Sequence, residues 1–497
     1  MRKAIYFLLI SLSISCTSEK SKSVELEQVS QDFIINGSIE NYKISDSTSS
    51  LDIYINDLLS LEGSRRESIT IDSLGKFSSK IRIPRQQDIW LSCKNLDFRL
   101  IVAPEDEFVI NIKDIKNSLN ENSIEISGTS AKLNQDFLKF QVQNEFDSDS
   151  YFDNTKKLNP VSYKTYHDSL FGERKLQIEA FIANNNIDDA LKNWLFVEKE
   201  YRPADYLLVY PLNYRMFNQE KAKDLKYTDY LFDDFTNLPP IEEKYLVNTV
   251  LDGFGNYYLF HYYQQIRPEG MTMKGEVLDS IAIKRIVSEN KNNKLLSQLT
   301  IFNALQTSFN NNRLSYMYSE KEIIDSLFKG SLFESAIADN FNYVKSLLEN
   351  APVPEGAELL TFDSKDPNDL LNEIIKNSEG KVIYIDNWAT WCAPCRSEFK
   401  SSTPLLKEKF DKEVEFIYLC HRSNQKEWKP VISRYNVEGK HYFLTDEQTN
   451  VLMSKLSITG YPTYNMINKK GEIVYSGFEY RPSIEQTSKI LEKLISE

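Results

Sequence analysis

At 497 residues the chain is too long for one ordinary domain, and roughly two to four are expected. Hydrophobic residues at 41% and charged residues at 26% allow buried cores under a charged surface, and with 16 glycines the chain is neither collagen-like nor of low complexity. The formal net charge of −13 argues against nucleic acid or an anionic lipid surface as partner, because both require basic surface.

The chain begins Met1-Arg2-Lys3, and residues 4–14 are apolar apart from Ser11 and Ser13. A basic start before a short apolar run has the form of a secretory signal and is too short to span a bilayer. Ser13-Ile14-Ser15-Cys16 resembles a bacterial lipobox. The resemblance implies that 1–15 is a signal peptide and that Cys16 becomes the lipidated first residue, with 16–31 as a polar tether. The alternatives are a plain signal peptide or an unrelated cysteine. The implied location is outside the cytoplasm, in the bacterial cell envelope, on a body anchored by lipid. Likeness to lipoproteins of outer-membrane-bearing bacteria favours the periplasm and the outer membrane.

Residues 32–127 contain short β-like runs among turn residues, such as FIINGSI, LDIYIN, DIWLSCK and FVINIK. Their spacing of about ten residues predicts an N-terminal antiparallel β-sandwich. Ser73-Leu74-Gly75-Lys76, between two alternating runs, reads as a hairpin turn. Cys93, within a run, is expected to be a small buried apolar residue.

From 128 to 350 apolar residues recur at spacings of three and four, as in DALKNWLFVEKEYR, and predict a helical middle domain. Tyrosine and phenylalanine are dense between Tyr201 and Tyr263. They form either an aromatic core or a groove for an extended partner. Asp147, Asp149 and Asp153 superficially suggest a calcium loop, but the turn glycine and closing glutamate are missing.

Ala351-Pro352-Val353-Pro354-Glu355-Gly356 breaks the helical pattern and opens a final domain, 351–497. Within it, VIYIDNWATWCAPC runs from a strand-like apolar stretch into Cys392-Ala393-Pro394-Cys395, followed by a helix-compatible segment. A cysteine at a helix start sits where backbone N–H groups and the helix dipole favour the thiolate. WCAPC, Asp386 six residues before the first cysteine, and the later Gly460-Tyr461-Pro462-Thr463 together resemble the thioredoxin superfamily. The segment between FIYLC and Tyr461 resembles the extracytoplasmic TlpA/ResA-type branch. A strand–helix alternation followed by a hairpin at Asn468-Lys469-Lys470-Gly471 and a last helix agrees with a C-terminal α/β thioredoxin-like fold. The chain departs from the family at Lys400, where a kinking proline is usual. Pro404 comes four residues later and implies a small insertion in the active-site helix.

The resemblance implies thiol–disulfide exchange. Cys392, the more exposed sulfur, is the expected nucleophile and Cys395 the resolving thiol. Asp386 is the implied general base for Cys395; the alternative is a strand-end acid bonded to backbone. Trp391, Tyr461 and a cis Pro462 are the implied substrate contacts, with packing the alternative for Trp391. With no histidine between the cysteines, reduction of disulfides in exported cysteine-containing proteins is favoured over oxidation. No nucleotide-binding glycine loop is present, so no cofactor is expected, and electrons must come from a membrane or periplasmic donor. The histidines His167, His261, His421 and His441 lack ligand spacing, so no metal is expected. Cys420-His421 reads as core before a third redox site. A scaffold lipoprotein with a structural Cys392–Cys395 disulfide is the competing reading.

Overall fold

The computed structural model describes residues 32–497 apart from 44–49, 95, 114, 116–118, 121, 231, 233–237 and 267–274. The segments 1–15 and 16–31, and Cys16 with them, lie outside the described residues.

Alternating apolar residues build the strands β1 (Asp32–Ile39), β2 (Ser50–Asn56), β3 (Ser64–Thr70), β4 (Lys76–Arg82), β5 (Gln87–Cys93), β6 (Leu96–Val102), β7 (Glu107–Ile112) and β8 (Ile124–Gly128). They form two sheets, ordered β4-β1-β7-β8 and β3-β2-β5-β6, which close over one core that includes Phe33, Ile53, Leu91 and Phe108. Cys93 is buried there, and burial pushes its thiol up to about 11.

Two expectations are corrected. The sandwich is not purely antiparallel, because β1 and β7 run parallel. The chain re-enters the first sheet beside the start of β1, where Glu105 N–H donates to Asp32 O at 2.8 Å. Alternation of apolar residues is the same for either strand direction. The turn at 73–76 is not a hairpin within one sheet either. Asp72 N–H donates to Lys76 O at 2.9 Å, closing the turn, but β3 and β4 then join different sheets.

Gly37 of β1 faces Phe77 on one side and Ile110 on the other. A Cβ there would collide with the Ile110 carbonyl and the Phe77 ring. Gly37→Ala should therefore cost about 2 kcal/mol or more, read as a lower urea midpoint for the whole chain.

The middle of the chain folds as α1 (Ala131–Gln143), α2 (Ser148–Lys157), α3 (Pro160–Asn184), α4 (Asp189–Glu200), α5 (Arg202–Phe217), α6 (Val250–Ile266), α7 (Gly275–Glu289), α8 (Lys294–Asn310), α9 (Ser315–Ser319), α10 (Lys321–Phe328) and α11 (Glu334–Asn350). The aromatic run is core: Tyr201, Tyr210, Tyr214, Tyr258 and Tyr262 are all buried. Asp147 is a helix cap, accepting from Ser150 N–H at 2.9 Å. Helix α8 is enclosed nearly all round, and Leu58 and Leu61, from the loop between β2 and β3, are buried in the same cluster. Arg85 joins the β-sheets to α6 through both oxygens of Asp252, each at 2.6 Å. Among the described residues, no helix is long and apolar enough to cross a membrane.

The last region contains β9 (Ala357–Leu360), α12 (Leu370–Asn377), β10 (Val382–Trp388), α13 (Ala393–Ser401), α14 (Thr403–Phe410), β11 (Val414–Cys420), α15 (Gln425–Arg434), β12 (Gly439–Phe443), α16 (Asp446–Lys455), β13 (Thr463–Ile467), β14 (Ile473–Gly477) and α17 (Glu485–Ser496). Its sheet is ordered β14-β13-β10-β11-β12-β9, with β10 parallel to β11 and antiparallel to β13. Every residue of β10 is buried, as its unbroken apolar run predicts for a strand covered on both faces. The hairpin at 468–471 is present, with Gly471 at φ +83° and Asn468 N–H donating to Glu472 O at 3.0 Å.

Candidate active site

The two faces of β10 set up the site. Ile383 and Ile385 pack on one side, whereas Tyr384 and Trp388 share a cluster with Cys392, Cys395 and Phe399 on the other. Period-two alternation places Asp386 on that second face, beneath α13. The helix begins at the cysteines: Cys392 is its N-cap, and its Sγ accepts from Cys395 N–H at 3.2 Å. Pro394 falls in the first turn, where its missing N–H costs no helical bond. The two cysteines are joined in a disulfide, so this is the oxidised state.

Cys392 is 3% exposed and Cys395 is fully buried. The expected order of exposure holds by a small margin only. The expectation of an open sulfur is not met in the oxidised state, where the Cys392 sulfur is turned to its partner and packed in the apolar cluster. The mouth is instead marked by Trp391, which is 53% exposed.

Trp391 Nε1–H donates to Arg422 O at 2.9 Å, and its ring meets Tyr461 edge-on at 5.8 Å. The Tyr461–Pro462 bond is cis, as expected. These contacts bring the 460–463 loop, from the far end of the sequence, beside the cysteine-bearing turn. Tyr461 in turn stacks on His421 at 5.4 Å. Asn387 Nδ2 donates to Thr463 O and Asn465 Oδ1, both at 2.8 Å, so its Oδ1 is left to accept from His421 Nε2–H at 3.1 Å. Burial, and then Arg422, push His421 down to about 3, so it is neutral at physiological pH. Cys420 is fully buried in the core and burial pushes its thiol up to about 12, which opposes a third redox role.

Asp386 is 1% exposed, and neither carboxyl oxygen has a hydrogen-bond partner among the described residues. A backbone-bonded strand-end acid is therefore excluded. Burial, reinforced by the Glu398 charge, holds its carboxyl well above the usual range. The hydroxyls of its register neighbours Tyr418 and Tyr464 and the Trp388 indole N–H are also without partners. The pocket under the disulfide is thus polar but internally unsatisfied, the setting in which an acid holds or receives a proton.

Sequence reasoning missed Glu398. It lies three residues past Cys395 and accepts from Ser483 N–H at 3.1 Å and Oγ–H at 2.7 Å. Its position one turn after the cysteine was the available signal. Also missed is the attachment of the active-site helix to the rest of the chain. Arg396 donates to Asn310 O and, at 3.0 Å, to Asn311 Oδ1 at the end of α8. Lys400, where a proline was expected, donates to Glu62 O at 2.8 Å. The expected insertion appears as a break at Ser402 between α13 and α14, with Pro404 in the first turn of the second helix.

A strand entering a Cys-x-x-Cys helix start, a buried acid beneath it and a cis-proline loop beside it define a thioredoxin-like redox module. Residues 352–495 match the Redoxin family model, and this C-terminal region is a thioredoxin-like domain. Relatives include the thiol-disulfide oxidoreductase ResA of Bacillus cereus, 28% identical over 20% of this chain, and the thioredoxin-like protein YneN of Bacillus subtilis, 26% identical over 22%. The chain spans 56% of the length of that ResA and 66% of YneN. The thioredoxin domain of a thiol-disulfide oxidoreductase from Bacteroides vulgatus is 21% identical, with 24% of this chain and 83% of that one covered at a TM-score of 0.22.

Proposed function

We propose that the protein is an extracytoplasmic thiol–disulfide oxidoreductase that reduces disulfides in exported proteins. The observation that carries this reading is the Cys392–Cys395 pair at the start of α13, with the partnerless Asp386 carboxyl on the strand beneath it. In the reduced protein, the Cys392 thiolate attacks one sulfur of a substrate disulfide. A mixed disulfide forms, and the other substrate sulfur leaves as a thiolate and is protonated. In molecules whose raised Asp386 carboxyl has ionised, Cys395 then gives its proton to that carboxylate and attacks Cys392 Sγ, and the departing substrate sulfur takes up a proton. The second substrate thiol is released, and the protein ends as the disulfide with its substrate reduced by two electrons. A dithiol donor in the membrane or periplasm must reverse this for turnover. Trp391, Tyr461 and Pro462 line the approach and hold an extended substrate segment.

The same reading takes 1–15 as signal peptide, Cys16 as the lipid attachment point and 16–31 as tether, and places the protein in the bacterial cell envelope, at the outer membrane by likeness to lipoproteins of outer-membrane-bearing bacteria. It divides the remainder into 32–127, 128–350 and 351–497. No nucleic acid, cofactor or metal enters it. The near-complete burial of Cys392 favours one competing reading, a binding lipoprotein with a structural disulfide. The matches of the same region to oxidoreductases weigh against it.

The deciding experiment uses the reduced full chain. Cys392 should alkylate rapidly at neutral pH, and the chain should reduce a model protein disulfide with a dithiol as electron source. Slow alkylation together with no turnover would leave the scaffold.

A further inference from the structure

A cavity of about 340 Å³ lies between the β-sheets and the helices, away from the cysteine pair, and no residue of 351–497 lines it. Its volume falls in the range of roughly 300–1,000 Å³ typical of small-molecule sites. We propose that this cavity binds a small organic carboxylate with a planar apolar body, gripped by Arg174.

The charges lining the cavity are unevenly partnered. Arg99 is paired with Asp88 at 2.8 Å, and Arg202 with Glu198 at 2.6 Å. Arg174 has no such partner among the described residues. It is 8% exposed, and its only hydrogen bond among the described residues is from Nη1 to Asn144 O at 2.9 Å. Glu198 acts on Arg174 through its charge, while its hydrogen bonds go to Arg202 and, at 2.9 Å, to Asn248 Nδ2. Arg174 lines the cavity, and its other guanidinium nitrogens make no hydrogen bond among the described residues. Burial holds Arg174 below its ordinary value, the sign of a cation short of solvation that a bound anion would restore.

The position of that guanidinium is built. It lies 5.7 Å from the Phe140 ring centre and 5.2 Å from that of Phe146. Phe146 and Tyr206 both line the cavity, and their rings stack on each other at 14° and 5.9 Å, so the lining beside Arg174 is aromatic. A planar fork with free N–H groups matches a carboxylate through two parallel bonds. The acids Asp97 and Glu145 also line the cavity, and their charge disfavours a doubly charged phosphate. An aromatic lining beside one free guanidinium selects a monoanion attached to a ring or another planar group.

The test titrates the full chain with 3-phenylpropionate and, as its neutral counterpart, 3-phenylpropanamide. Saturable binding of the acid is expected, with the amide weaker by about tenfold or more. Arg174→Gln should lose the acid by a similar factor and leave amide binding unchanged. Should that variant fail to fold, Arg174→Lys keeps a charge without the fork and should weaken the acid several-fold. No saturation at millimolar acid, equal binding of acid and amide, or displacement of the acid by inorganic phosphate at similar concentration would each overturn the proposal.

Discussion

Replacing Cys395 with serine is expected to turn the protein into a trap for its substrates. The Cys392 thiolate can still open a substrate disulfide, but no second sulfur remains to release the captured half. The mixed disulfide should therefore accumulate, visible as a covalent adduct that dithiothreitol reverses. Cys392→Ser should form no adduct and lose turnover by roughly three orders of magnitude or more, as for removal of other enzymatic nucleophiles. The double difference is diagnostic because Cys392 caps α13 while Cys395 lies fully buried behind it. A structural disulfide would instead give two variants alike in reactivity and lowered in stability together. Adducts formed equally well through Cys395 in Cys392→Ser would invert the assigned roles.

Asp386→Asn should slow the chemistry and stabilise the fold at the same time. The sign follows from burial. An unfolded aspartate ionises near pH 3.9, whereas the native Asp386 carboxyl holds its proton well above that range. The folded state thus binds more protons than the unfolded state between the two values. Stability is full below the unfolded value and is lost as pH rises through the folded one. The loss has a slope of at most about 1.4 kcal/mol per pH unit. Asparagine has no charge to bury, so urea midpoints of parent and variant should coincide near pH 4 and separate in favour of the variant towards neutrality. Resolution of the mixed disulfide should slow by about a hundredfold, in the range for removal of a general base. Parallel stability curves at all pH values would show that the carboxyl ionises normally when folded. An unchanged resolution rate would remove Asp386 from the proton path while leaving its stability effect in place.

The two substitutions act on different links between sequence and function. The cysteines act through position on a helix end, which four consecutive residues and the strand before them announce. Asp386 acts through what it lacks among the described residues, a hydrogen-bond partner, and no reading of neighbours along the chain reveals that. Its register neighbours Tyr418 and Tyr464 come from strands 32 and 78 residues further on in number, and their hydroxyls are as unpartnered as the carboxyl.

Local chemistry determined much by itself. The apolar run of β10, the cysteine spacing, the prolines at 352 and 354 and the Asn-Lys-Lys-Gly turn specified a strand–helix module with a Cys-x-x-Cys helix start at 351–497, and the resemblance to thioredoxins implied its redox chemistry. Each signal works within a few residues, through strand alternation, helix-end geometry or turn conformation. The sequence also marked the β-rich and helical stretches before it. Only the tertiary structure decided how they pair. Alternation is blind to strand direction, so the parallel β1–β7 pair and the passage of 73–76 between sheets stayed hidden. Helix α8 is buried on nearly every side and takes Ser297, Gln298, Thr300 and Asn303 inside, so its polar residues do not mark a solvent face as they do on a surface helix. The grip of Asn310, Asn311 and Glu62 on α13, and the cavity that Arg174 lines with residues of the β-sheets, depend on groups far apart in the chain meeting in space. Distance along the chain carries no information about such meetings, and only packing creates them.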